Sequence, residues 1–288
     1  MKRREFLAYT APSTILTVAL MIAPLVMTVY LSFHEFEYGS PLDWIGLDNY
    51  TEAFGSGALR SAAVFTLIYT VVTTAGKVVA GFALALLLNY TIRARSIFLG
   101  VLLVPLVVPP VVGALVFGWM FRGDVGVGLY DFLLSSMGID VNWYADTWPA
   151  RLMLAGQGIW QDVTFAALIL LAGLQVMPRE PLEAAYVDGA RWLQRIRYIV
   201  IPELGGLFVF IAMMSVMDAF RVFDNIAVTT KGGPAGSTDS LMYLSYQVAF
   251  DQQRLGLGSA ISMITVVVIL VFLVPFLRHT SREIRGKR

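Results

Sequence analysis

Gly158, Gln161, Asp162 and Phe165 stand at i, i+3, i+4 and i+7 in an apolar stretch. On a helix they share one face, which would carry an amide, a carboxylate and an aromatic ring. Asp218, Arg221, Val222 and Asn225 repeat the spacing in a later apolar stretch. A charge inside a bilayer costs about 2.5–3.5 kcal/mol on insertion scales, so such side chains face a cavity or a partner. Two readings are open. In one, both faces line a path for a hydroxyl-rich solute, which needs donors and acceptors and a ring to cover its apolar side. In the other, Asp218 and Arg221, three apart on one helix, neutralise each other. Lys77, in a third apolar stretch, reads as a snorkelling or paired cation.

Covalent chemistry has no such support. There is no cysteine, so disulfides, thiolates and Cys–metal sites are excluded. The two histidines, His34 and His279, lie at opposite ends of the sequence. Gly76-Lys77 is followed by Val78 and lacks the earlier glycine of a phosphate-binding loop. No His-Glu-x-x-His or Gly-x-Ser-x-Gly occurs. The chain is read as a non-enzyme that binds no cofactor of its own.

The elements that must position the polar faces are membrane spans. Hydrophobic residues make up 57% of the 288, charged residues only 14%, and the mean hydropathy is +0.71. That charge is too little to cover a water-soluble core of this size. A net charge of +1 gives no case for a nucleic-acid partner. Apolar runs predict six spans near 9–33, 61–88, 97–121, 152–177, 204–227 and 257–277. The first run is too long for the apolar core of a signal peptide, so it reads as an uncleaved span. Asn49-Tyr50-Thr51 fits a glycosylation pattern too short to trust. The third span contains Pro105, Pro109 and Pro110. Prolines inside a membrane helix leave carbonyls that neighbouring helices or a cavity must satisfy. Trp143, Tyr144 and Trp148 suit a membrane interface.

Six spans place both termini on one side. Lys2, Arg3, Arg4, Arg93, Arg95, Arg179, Arg191, Arg195, Arg197, Arg278, Arg282, Arg285, Lys287 and Arg288 fall there. The other side holds Arg60, Arg122, Arg151, Lys231 and Arg254. Basic loops stay cytoplasmic, so both termini are expected inside.

The longest polar interruption on that side is 178–203. Pro181 suits a helix start, and Glu183 falls in the first turn, where a carboxylate complements the dipole. Gly189 permits a turn, Arg191 to Tyr198 suit a second short helix, and Pro202 marks the next boundary.

The stretch reads EAAYVDGARWLQRIRYIVIP. It resembles the signature cytoplasmic loop of permease subunits of ATP-binding-cassette importers: Glu-Ala-Ala, Asp-Gly-Ala, then Ile-x-Leu-Pro. Ile201 replaces the usual Leu. Trp44 to Tyr50, LLVPLVVPP in the third span and Thr229 to Pro234 resemble further parts of carbohydrate-importer permeases, of the type found in maltose, trehalose and glycerol-phosphate uptake. The resemblance implies an all-α, polytopic membrane protein with the type I importer permease fold, a single permease domain over 1–288. It implies that Glu183, Ala184, Ala185, Asp188, Gly189, Ala190 and Pro202 belong to a coupling helix that docks on an ATPase. Gly158, Gln161, Asp162, Phe165, Asp218, Arg221 and Val222 look similar in position to family residues lining the translocation path. The implied partners are a second, different permease, two ATPase subunits that use ATP and Mg, an extracytoplasmic solute-binding protein and a carbohydrate-like solute. The implied location is a bacterial or archaeal inner membrane. The alternative is an ion-coupled secondary transporter, which would show coupling carboxylates or repeated halves.

Overall fold

A computed structural model describes residues 3–90, 95–123 and 128–286. Lys2, Arg93, Lys287 and Arg288, four of the residues carrying the charge asymmetry, lie outside them.

Helices account for nearly all of the regular structure. They are α1 (Arg3–Ser32), α2 (Asp48–Gly55), α3 (Gly57–Tyr90), α4 (Arg95–Val107), α5 (Pro110–Met120), α6 (Leu129–Ser136) and α7 (Thr147–Val176). Then follow α8 (Glu180–Val187), α9 (Trp192–Arg195), α10 (Ile201–Glu203), α11 (Gly205–Phe220), α12 (Leu241–Tyr246) and α13 (Leu255–Gly286). Two-residue strands β1 (His34–Glu35) and β2 (Asp43–Trp44) form an antiparallel pair, with His34 opposite Trp44. Wider π-helical turns occupy Ile196–Val200, Ile226–Thr230 and Gln247–Asp251.

Helices α1, α3, α7 and α13 contain segments long and apolar enough to cross a bilayer, and counting two bent pairs as spans gives six. Two of the six expected spans are thus bent pairs rather than single straight helices. α4 and α5 meet at 102°. Val108 and Pro109 each precede a proline, and such residues avoid the helical region. Pro109 accordingly has ψ 136°. The segment from Trp192 to Glu203 meets α11 at 69°. α11 also ends at Phe220, well short of the expected residue 227.

The contacts of the chain, expected as a single permease domain, fall into two compact units: 1–60 with 241–268, and 61–240 with 269–288. In the first, Asn49 donates both amide hydrogens, to the carbonyls of Ser32 and His34 at 3.1 and 2.9 Å, and is buried. That removes it as a glycosylation acceptor. Arg254 makes a two-pronged contact with Glu52, at 2.5 and 2.8 Å, and a looser one with Glu37 at 3.3 Å. The pairing holds the Glu52 carboxyl below, and the Arg254 guanidinium above, their ordinary values.

In the second unit the core is built from Ala85 and Leu88 of α3, Ala166, Leu170, Leu171 and Leu174 of α7, Val200, Leu204, and Ile211 of α11. Gly81 brings α3 and α7 close: a Cβ there would stand 2.7 Å from that of Ala166. The end of the 178–203 segment is therefore packed into the helices that carry Lys77 and Asp162.

Candidate functional site

The first candidate element is the exposed segment. Pro181 lies within the first turn of α8 beside Glu180 and Glu183, whose negative charges favour a helix N-terminus. α8 ends in a two-bond cap. The Gly189 N–H donates to the Tyr186 carbonyl at 3.1 Å and the Ala190 N–H to that of Ala185 at 2.9 Å. This cap needs a left-handed residue just past the helix, which Gly189 supplies at φ +75°. The Gln194 side chain then accepts from the Arg191 N–H at 2.6 Å and starts α9.

The segment leaves apolar surface bare: Val187 is 85% exposed, and Tyr186, Leu193 and Tyr198 are also open. Glu183, Ala184 and Asp188 are exposed beside them. A groove of about 400 Å³ runs past Asp188, Gly189, Ala190 and Tyr198. Arg195 lies over the Tyr186 ring at 5.2 Å. Pro202 lies in α10, just before the bend into α11. All seven residues expected in the coupling role thus fall on one helix–turn–helix element with an open apolar face, of the kind that marks a docking surface.

The second element is one stretch of α7, from Gly158 to Phe165. Asp162 Oδ2 lies 2.6 Å from Lys77 Nζ of α3. The Lys77 side chain is 5% exposed and that of Asp162 41% exposed, so the pair has a buried cation and an open carboxylate. Gln161 Nε2 donates to the carbonyls of Pro105 at 2.6 Å and Val108 at 3.0 Å. Pro109 lacks the N–H that would bond the Pro105 carbonyl, so Gln161 satisfies the group the break frees. Thr164 Oγ1 adds a 2.5 Å bond to the Leu102 carbonyl.

The structure gives two of these residues contacts that the spacing alone did not reveal. Gln161 braces the α4–α5 break through its amide N–H groups. Gly158 is buried against the Tyr69 ring and Thr73, where its missing side chain permits close packing. Asp162 and Phe165 keep open faces.

The second expected face is not formed as one face. α11 ends at Phe220, Arg221 is its C-cap residue at φ −95°, ψ 7°, and Val222 and Phe223 lie off the helix. Asn225 points elsewhere: it is buried and donates to Gln157 Oε1 at 2.8 Å and to the Tyr69 hydroxyl at 3.2 Å. Asp218 and Arg221 are exposed, and no ion pair joins them among the described residues. The neutralising partnership anticipated between them is instead realised by Lys77 and Asp162. Asp218 still lies within electrostatic reach of Asp162, Lys77 and Arg221. One charged seam therefore joins α3, α7 and the end of α11.

Residues 77–281 match the family of binding-protein-dependent transport system inner membrane components, and the chain belongs to that family. It is 31% identical over 280 residues to the trehalose/maltose transport system permease protein MalF of Thermococcus litoralis, covering 96% of this chain and 94% of that one. It is 27% identical over 286 residues to the sn-glycerol-3-phosphate transport system permease protein UgpA of Pectobacterium atrosepticum, covering 98% and 96%. A solved chain of the bacterial alginate ABC transporter, in complex with an alginate-pentasaccharide-bound periplasmic protein, superposes with a TM-score of 0.83. That match is at 21% identity and covers 98% of this chain and 96% of that chain. The likeness establishes the importer permease fold.

Proposed function

We propose that the chain is the membrane-spanning permease subunit of an ATP-driven importer. It passes a carbohydrate (a sugar, an oligosaccharide, or a related polyol or sugar phosphate) from an external binding protein to the cytoplasm. A second, different permease and two ATPase subunits complete the assembly, and ATP and Mg are used at the ATPases. Both termini and the α8–α10 segment face the cytoplasm of a bacterial or archaeal cell.

The observation that carries this reading is the α8–α10 segment. Its outer half is open and apolar, while Val200 and Leu204 are buried among α3, α7 and α11. A push on the exposed half is transmitted through a close-packed core, which resists continuous deformation. Along α3 that core lies two to three turns from Lys77, and along α7 one to three turns from Asp162. Movement of the segment thereby alters the helices bearing the open carboxylate. The relatives named for trehalose/maltose and glycerol phosphate support the carbohydrate class. Asp162 and Asp218 supply acceptors, Arg221 donors and Phe165 an open ring for such a solute. The secondary-transporter alternative gains no support from family or fold.

The test is purification followed by uptake. The chain should copurify with a nucleotide-binding subunit, and Gly189→Pro and Glu183→Lys should abolish uptake while the permease still inserts. Normal uptake with solute-stimulated ATP hydrolysis in both variants would sink the coupling role.

A further inference from the structure

At the end of α7 opposite the coupling segment lies a cavity of about 920 Å³, bounded by the end of α5, the loop 140–145 and residues 228–231. We propose that this cavity is a second carbohydrate site, separate from the charged seam, that receives a neutral sugar ring or disaccharide before the solute enters the membrane. The inference rests on the carbohydrate reading above and on the orientation given there.

The volume lies within the range of about 300–1,000 Å³ typical of small-molecule sites. The wall is built from within. Tyr144 donates its hydroxyl to the Gly118 carbonyl at 2.8 Å, which joins the loop to α5. Phe121 stacks on Tyr130 with ring centres 4.6 Å apart and meets the Trp143 ring edge-on at 4.6 Å. Thr229 Oγ1 reaches the Ala114 carbonyl at 3.4 Å and joins the third wall to α5. The Lys231 N–H donates to the Ile226 carbonyl at 2.7 Å, and Lys231 adopts φ +50°.

The lining has the chemistry of sugar recognition. Trp119 is 63% exposed and Tyr144 37% exposed, so aromatic faces are open to the C–H side of a pyranose. Asp140 and Asn142, both exposed, supply carboxylate and amide groups for hydroxyls. Among the described residues the charges bordering the space balance, with Arg122 and Lys231 against Asp131 and Asp140. A balanced border gives an anion no net attraction, whereas neutral hydroxyls can donate to the carboxylates and accept from the cations. This favours a neutral sugar over a phosphorylated one.

The test uses the whole importer in nanodiscs, with maltose and trehalose as probes and glycerol 3-phosphate as the anionic control. Hydroxyl-radical footprinting, read by mass spectrometry, reports the accessibility of Trp119 and Tyr144. Trp148, exposed and outside the cavity, serves as the internal reference. A neutral disaccharide should protect Trp119 and Tyr144 severalfold and leave Trp148 unchanged. Trp119→Ala should raise the concentration needed to protect Tyr144, and Asp140→Asn that needed to protect both rings, by about tenfold, the loss of one good contact. Uptake of a disaccharide without protection of Trp119 overturns the second site and leaves the proposed function standing. Failure to take up any carbohydrate overturns the carbohydrate reading and this site with it. Protection by glycerol 3-phosphate alone, or by the sugar-free binding protein alone, also overturns it, because the cavity is then an anion site or a docking surface.

Discussion

Replacing Asp162 with Asn strands a buried cation. The Lys77 side chain is 5% exposed and its Nζ lies 2.6 Å from Asp162 Oδ2, whereas Asp162 is 41% exposed. Breaking a fully buried pair costs about 3–5 kcal/mol, because the survivor stays uncompensated. An exposed pair contributes only about 0–1 kcal/mol, because water replaces the partner. The two halves of this pair sit near opposite limits. Asp162→Asn should therefore cost about 2–3 kcal/mol and Lys77→Met about 1 kcal/mol. The double variant removes both charges and keeps the volume, so it should lie close to the parent. The coupling between the two sites is then about 3–4 kcal/mol in magnitude. The measurement is reversible unfolding in mixed micelles titrated with dodecyl sulfate and followed by tryptophan fluorescence, with uptake recorded in parallel. Equal losses in the two single variants, a larger loss for Lys77→Met, or additive losses in the double variant would refute the unequal pair. Uptake should remain impaired in the double variant even though stability returns, because the open carboxylate is gone.

Gln161→Ala should destabilise by about 2–4 kcal/mol through two lost hydrogen bonds and their unpaired carbonyls, with solute preference unchanged; a change in preference at unchanged stability would refute the bracing role. Asp239 lies in the loop before α12, and burial pushes its carboxyl up to about 6. Its Oδ1 is buried with no hydrogen-bond partner. A carboxyl raised in the folded loop destabilises that loop once ionised, so stability should fall between about pH 4 and pH 6 and level off above. The total is at most about 3 kcal/mol at 1.36 kcal/mol per unit. Asp239→Asn should flatten that dependence and stabilise the protein at pH 7.5, as read by hydrogen exchange across 232–240. Lys231 is exposed beside the cavity of about 920 Å³, which the proposed topology places outside, so an impermeant amine reagent should reach it only from outside the cell; labelling only from inside would reverse the topology.

The helix–turn–helix of residues 178–203 was legible from the sequence because its signals are local. Proline near a helix start, acidic residues in the first turn and glycine at the left-handed cap each act within a few residues. The polar face of α7 was legible as a set for the same reason: helical periodicity places residues 158, 161, 162 and 165 together. The three prolines of the third span announced freed carbonyls, though not who would cap them.

What each side chain touches was decided only by the fold. Lys77 and Asp162 are 85 residues apart and Gln161 and Pro105 are 56 apart. Which helices meet depends on packing of the whole core, on which spacing along the chain is silent. A composition-based span also carries no end signal at Phe220. No glycine or proline marks the point where α11 stops, so the spacing of Asp218, Arg221, Val222 and Asn225 suggested a shared face that the backbone does not make. From sequence alone came the class of protein, the charges within its apolar spans and the helix–turn–helix between the fourth and fifth of them. The tertiary structure decided that Asp162 answers Lys77, that Gln161 braces a broken helix, and that Asp218 and Arg221 remain open, because a buried charge or freed carbonyl takes whichever partner the packed helices bring within reach.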